Sequence, residues 1–200
     1  RLTEALRNGI LADGGRLAIG IFGTQFFFEV LSENGMHDLA YKAMNKRTQP
    51  SFGWWIGQGA TTTWEQWDGT NSRNHPMFGG GLVWFYRRLA GMQADPQGPG
   101  YRHIIFKPQP VDSLSFVKYY NRTAYGQAGI HWTNTQEGFN MEITVPVGCK
   151  ATVYVPVMPR KIISESGHSV LPDNDIHFAG EEKGYRIFEV NSGKYRFVSN

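Results

Sequence analysis

Apolar residues change their repeat part-way along the chain. Ile21, Phe22, Phe26, Phe28 and Leu31 form a strongly apolar helical segment that Asn34-Gly35 should stop. Met36, Leu39, Ala40 and Ala43 then recur at three and four residues, which predicts a short amphipathic helix over 36–46. Pro76 opens a third segment, where proline is tolerated in a first helical turn. On it Phe78, Leu82, Phe85 and Leu89 make one stripe as far as Gly91. Gly79-Gly80-Gly81 lies inside that stripe, and each glycine costs about 1 kcal/mol against alanine in a helix. Either a neighbouring helix presses on the backbone there, or the first turn is poorly formed.

Asp95-Pro96-Gln97-Gly98-Pro99-Gly100 reads as a linker by composition. Beyond it the repeat becomes two. Leu114, Phe116 and Lys118 alternate with Ser115, Val117 and Tyr119. Met141, Ile143 and Val145 alternate with Glu142 and Thr144, and Val153, Val155 and Val157 with Thr152, Tyr154 and Pro156. Turns are expected at Pro146-Val147-Gly148, Ser166-Gly167, Pro172-Asp173-Asn174 and Asn191-Ser192-Gly193. Helices first and strands second predict an α+β chain of two units rather than alternating βαβ. The boundaries fall at 1–94 for the helical unit and 100–200 for an antiparallel β-sandwich.

Composition narrows the partners. The 200 residues are 40% hydrophobic and 18% charged, which describes a globular chain. Net charge is +3 with the basic residues scattered, so no nucleic-acid stripe is present. No apolar run approaches the roughly 20 residues of a membrane helix. The single Cys149 excludes an internal disulfide and a cysteine zinc site, and it leaves the compartment open. None of the six histidines has metal-ligand spacing, so neither a metal nor a cofactor is expected. Arg1-Leu2-Thr3-Glu4-Ala5-Leu6 reads as the middle of a helix, which predicts a piece of a longer protein.

The stretch from Pro50 to His75 fits neither repeat and reads as a long irregular connection, a common home for function. Within it Glu65 lies between Trp64 and Trp67. Bulky aromatics beside a carboxylate remove water from it and suit it to proton transfer. Trp64 and Trp67 are candidate stacking platforms for a sugar, and Asn74 and His75 candidate partners for its hydroxyls. The structural alternative has Glu65 capping a helix or pairing with Arg73, His75 capping the helix that follows, and the tryptophans in the core.

Gly59-Ala60-Thr61-Thr62-Thr63-Trp64-Glu65-Gln66-Trp67-Asp68, followed by Ser72-Arg73-Asn74-His75-Pro76-Met77-Phe78-Gly79, resembles the bacterial α-L-rhamnosidases of glycoside hydrolase family 78. Further matches run from Ala18-Ile19-Gly20-Ile21-Phe22-Gly23-Thr24 to Ala151-Thr152-Val153-Tyr154-Val155-Pro156 and so cover nearly the whole chain. The resemblance implies the last helices of an (α/α)6 barrel followed by a C-terminal sandwich. It implies an inverting glycosidase acting on a rhamnose-containing glycan or glycoside, bacterial and periplasmic or secreted. Glu65 matches the family's general base, and His75 the histidine that contacts rhamnose. The step from Glu65 to His75 is shorter than is usual in the family, which affects contacts at the rim. Nothing in the chain matches the family's general acid, and inversion needs two carboxylates about 6.5–9.5 Å apart. The chain alone is therefore expected to be inactive, its partner being the N-terminal part of the same protein. A non-catalytic carbohydrate-binding module, or a different (α/α)6 glycosidase, is the alternative.

Overall fold

The computed structural model describes residues 1–157, 163–165, 168–169 and 175–199. The expected turns at Ser166-Gly167 and Pro172-Asp173-Asn174 lie outside the described residues. Two compact units emerge, Arg1–Phe85 and Tyr86–Asn200.

Helices α1 (Leu2–Ala12), α2 (Thr24–Glu33), α3 (His37–Met44), α4 (Phe52–Gly57) and α5 (Gly80–Trp84) build the first unit. Helix α2 ends where expected. Gly35 takes the left-handed conformation (φ 71°), and the Met36 N–H closes onto the Leu31 carbonyl at 2.8 Å. Phe28 and Leu31 are fully buried, and the buried Ala40, Ala43 and Met44 give α3 its inward stripe. Helix α4 departs from the irregular connection expected over 50–75. The buried Ser51 hydroxyl accepts the Trp54 N–H at 3.0 Å and caps its start. Six residues carrying Phe52, Trp54 and Trp55 are too few to show a helical repeat.

The triple glycine satisfies both expectations. Pro76–Gly79 is a 3-10 turn rather than α-helix, and α5 begins only at Gly80. A Cβ on Gly80 would stand 2.8 Å from the Gln25 Cβ, and one on Gly81 2.9 Å from the Phe28 ring, so α2 does press on this backbone. The stripe ends in a π-helical turn, Phe85–Leu89.

The second unit holds two sheets. Strands β1 (Met92–Ala94), β2 (His103–Phe106), β6 (Lys150–Pro156), β9 (Ile176–Glu182) and β10 (Tyr185–Val190) form one, in the order β1-β2-β6-β10-β9. Strands β3 (Phe116–Thr123), β4 (Gly126–Asn134), β5 (Phe139–Val145), β7 (Ile163–Glu165), β8 (His168–Ser169) and β11 (Gly193–Ser199) form the other, in the order β3-β4-β5-β11-β7-β8. Phe188 stacks on Phe197 across the sheets, with ring centroids 5.3 Å apart. Alternation is as read on β5 and β6, where Met141, Ile143, Val145, Val153 and Val155 are buried. On β3 the outward set is Phe116, Lys118, Tyr120 and Arg122.

Two features differ from the expected antiparallel sandwich and its linker. Strand β2 runs parallel to β6, with Ile104 opposite Ala151 and Phe106 opposite Val153. Met92–Ala94, read as the tail of the helical unit, is a strand that pairs antiparallel with β2. The Asp95–Gly100 segment is therefore a hairpin connection, tightened by the Gly98 N–H on the Asp95 carbonyl at 3.0 Å. Three residues are too short to display a period of two.

Candidate active site

The strip around Glu65 folds back on itself. The Glu65 N–H donates to the Ser72 carbonyl at 2.8 Å, and the His75 N–H donates to the Thr63 carbonyl at 2.8 Å. These bonds lay 63–65 antiparallel to 72–75. The Thr63 hydroxyl adds a bond to the His75 carbonyl at 2.6 Å, and the Thr62 hydroxyl one to the Arg73 carbonyl. The return is made at Asp68-Gly69, where Gly69 has φ 81°.

Glu65 and His75 are thereby brought together, with Glu65 Oε2 3.9 Å from His75 Nδ1. Oε2 also accepts the Ser72 N–H at 3.1 Å, while Oε1 takes no hydrogen bond from the described residues. The two side chains are 30% and 26% exposed, so both can be reached from solvent. His75 Nε2 is buried with no hydrogen-bond partner, an unspent polar group of a kind that folded proteins rarely leave. Of the structural alternatives, His75 occupies the N-cap position of the 3-10 turn without a side-chain cap bond. Arg73 lies over the Trp64 ring, 4.7 Å from its centroid, instead of pairing with Glu65.

Trp64, expected as a sugar platform, is instead buried at 6% exposure, between Arg73 and the rings of Trp54 and Trp55. That packing leaves no open face for a sugar. Trp67 is half-buried, with Trp55 at 4.5 Å, Phe78 at 4.3 Å and its indole N–H on the Ile19 carbonyl at 2.7 Å. The Trp55 indole N–H in turn donates to the Trp67 carbonyl at 2.9 Å. Both tryptophans hold the loop from behind. The Asn74 side chain is exposed beside His75, and its backbone N–H donates to the Ser72 hydroxyl at 3.2 Å.

Asp68, the strip's other acid, accepts both the Thr70 N–H at 2.9 Å and its hydroxyl at 2.7 Å. Those bonds hold its carboxyl below the usual carboxylate range, which unsuits it to donating a proton at neutral pH. Among the described residues, no three metal-ligating side chains come together.

Residues 1–89 match the family described as the bacterial alpha-L-rhamnosidase 6 hairpin glycosidase domain, and residues 91–169 the bacterial alpha-L-rhamnosidase C-terminal domain. The chain belongs to the bacterial α-L-rhamnosidase family. A solved α-L-rhamnosidase from Dictyoglumus thermophilum superposes over 100% of the chain with TM-score 0.87 and 37% identity, the match covering 23% of that protein. The Streptomyces avermitilis enzyme, solved in complex with L-rhamnose, superposes over 99% with TM-score 0.87 and 29% identity, covering 19% of its own length. An α-L-rhamnosidase from Alteromonas sp. is 36% identical over 70% of the chain and 16% of its own length. The chain thus spans about a fifth of the length of these rhamnosidases.

The site residues that reading the sequence alone did not single out are Thr63, Ser72 and Trp55, which act through bonds to the backbone and ring packing. The Asp68-Gly69 pair was the available signal, since Asp-Gly between two extended runs is a common hairpin turn.

Proposed function

We propose that this chain contributes the general base of an inverting glycoside hydrolase that releases terminal α-L-rhamnose. The carrying observation is the state of the Glu65 carboxylate: Oε2 is anchored by the Ser72 N–H, and Oε1 is left to take a proton from water. His75, held beside it by the Thr63 bonds, presents the imidazole that grips the sugar, and the exposed Asn74 adds a polar contact. Trp67 and Trp64 support the subsite from behind.

Asp68 is a poor candidate for the general acid, so the second carboxylate comes from a preceding part of the same polypeptide. The helical unit, read from sequence as residues 1–94, is the end of an (α/α)6 barrel, and the sandwich domain that follows already includes the strand Met92–Ala94. Exposed apolar side chains on the helical unit support this. Leu2, Phe22, Phe26 and Ile56 are 63–89% exposed, and an apolar groove of about 330 Å³ opens between Tyr41, Trp55, Ile56 and Phe85. Further barrel helices would cover such a surface. Alone, the chain lacks half of the acid–base pair and is inactive.

Glu65→Gln in the full-length protein tests the assignment. It should lower kcat on an aryl α-L-rhamnoside by about 10²–10⁴ with little change in KM. Near-normal turnover would remove Glu65 from the mechanism, and equal activity on other aryl glycosides would replace rhamnose as the substrate.

A further inference from the structure

The outward face of the six-stranded sheet carries a second cluster of binding chemistry, within the sandwich unit itself. Two rows of side chains cross four strands there. In one, Lys118 on β3 lies opposite His131 on β4, His131 opposite Glu142 on β5, and Glu142 opposite Arg196 on β11. In the other, Tyr120, Gly129, Thr144 and Lys194 follow the same order. Four strands at roughly 4.8 Å spacing make each row about 14 Å long.

Gly129 shapes this face. A Cβ there would lie 2.2 Å from the Tyr120 ring, so the glycine lets that ring lie against the sheet. Tyr120 stays 45% exposed and bounds a shallow groove of about 460 Å³ that also takes in His131, Glu142, Thr144, Lys194 and Arg196. Four residues along β3, about 13 Å away at the rise of a strand, Phe116 is a second aromatic on the same face, 60% exposed. Lys118 stands between them, its ammonium 5.4 Å from the Tyr120 centroid.

The polar groups on this face are loosely committed. Glu142 Oε2 is 3.9 Å from His131 Nδ1, Glu142 Oε1 is 3.9 Å from Arg196 Nε, and the guanidinium reaches Asn140 only at 3.5 Å. Among the described residues, Lys118, Arg122, Lys194 and Arg196 outnumber Glu142 on this face, so the face is cationic. A flat-lying aromatic ring stacks on a saccharide, Glu142 and Thr144 suit its hydroxyls, and a guanidinium fork matches a carboxylate. A nucleic acid would call for a denser basic stripe than four cations split between two strands around a carboxylate.

We propose that this sheet face is a binding site for a carboxylated glycan chain, engaged through Tyr120, Lys194 and Arg196. It is separate from Glu65, and it does not depend on the role assigned to that residue.

Calorimetric titration of the full-length protein with a hexamer of 1,4-linked galacturonate tests this. Binding should weaken about tenfold or more in Tyr120→Ala and in Lys194→Gln/Arg196→Gln, the latter with an unchanged unfolding midpoint, and should persist in Glu65→Gln. A neutral maltohexaose should bind at least about tenfold more weakly than the uronate. The proposal is overturned by absence of uronate binding, by equal affinity for the neutral hexamer, or by unaltered affinity in the charge variant, which changes only solvent-facing side chains. Loss of binding in Glu65→Gln would place the glycan at the other site and overturn it as well. A sulfated galactan hexamer binding as tightly as the uronate would overturn the assignment of a carboxylate.

Discussion

Gly69 is where the Glu65 loop is most exposed to a single methyl group. Its φ of 81° lies in the left-handed region, which costs an L-residue about 1–2 kcal/mol. An alanine Cβ there would also sit 2.8 Å from Cζ3 of Trp64 and 3.2 Å from the Arg73 guanidinium. That ring cannot swing aside cheaply, because Trp54 and Trp55 pack against it and Arg73 lies over it. Overpacking of this kind costs about 1–3 kcal/mol, so Gly69→Ala should cost about 2–5 kcal/mol in all. Gly59 supplies the control, since its φ is 79° and an added Cβ meets nothing within 4 Å. Gly59→Ala should cost only the conformational part, about 1–2 kcal/mol. Urea unfolding of the two full-length variants measures the difference, and turnover measures whether the loop yields locally. A Gly69→Ala protein as stable and as active as Gly59→Ala would refute the claim that Trp64 is wedged behind the turn.

Ser51→Ala removes the cap on the Trp54 N–H and the hydroxyl's donation to the Lys46 and Thr48 carbonyls, and should cost about 1–3 kcal/mol in urea unfolding. Ser51→Asp keeps a capping oxygen but sets a buried carboxylate against the Lys46 and Thr48 carbonyls, and should recover none of that loss. Tyr185 is pushed up to about 12 by burial and by nearby Glu182, and its hydroxyl donates to the Pro108 carbonyl at 2.9 Å. Its folded-state pKa is raised, so the stabilisation is present below pH 10 and is lost as pH rises from 10 towards 12. Tyr185→Phe should be less stable at neutral pH and should lose less stability than wild type over that alkaline range, read from unfolding midpoints.

What the sequence revealed and what it concealed follow from length and from neighbours. The end of α2 at Asn34-Gly35, the stripe of α3 and the alternation of β5 and β6 were legible, because each element buries one continuous face. Helix α4 was not, although Ser51 two residues before Gly53 is an ordinary start signal. Its six residues pack apolar groups on more than one side, so no repeat survives. Strand β4 was hidden for a different reason. The run Ala128-Gly129-Ile130 lacks an outward polar residue at Gly129, because the Tyr120 ring from the next strand occupies that space. Such a vacancy is intelligible only once the neighbouring strand is known. The parallel pairing of β2 with β6 was likewise unreadable, since a buried strand looks the same in either direction.

The candidate site shows the same division between local and non-local information. Glu65 and His75 were both singled out from sequence, yet their approach to 3.9 Å depends on the bonds each makes to the opposite side of the loop, at Ser72 and Thr63, and on the rings behind it. They do not hydrogen-bond each other. The outgoing side of the loop is fixed by Trp67, through Ile19, Trp55 and Phe78, and the returning side continues through Pro76 into that same Phe78. One aromatic cluster therefore clamps both ends, and the two polar side chains project from its front. Aromatic residues beside an acid read as a binding platform on composition alone, but here most of the ring surface is used to hold the backbone still. A base must stay within hydrogen-bond reach of the proton it removes, so in the role proposed for Glu65 the rigidity behind it would count as directly as a contact in front.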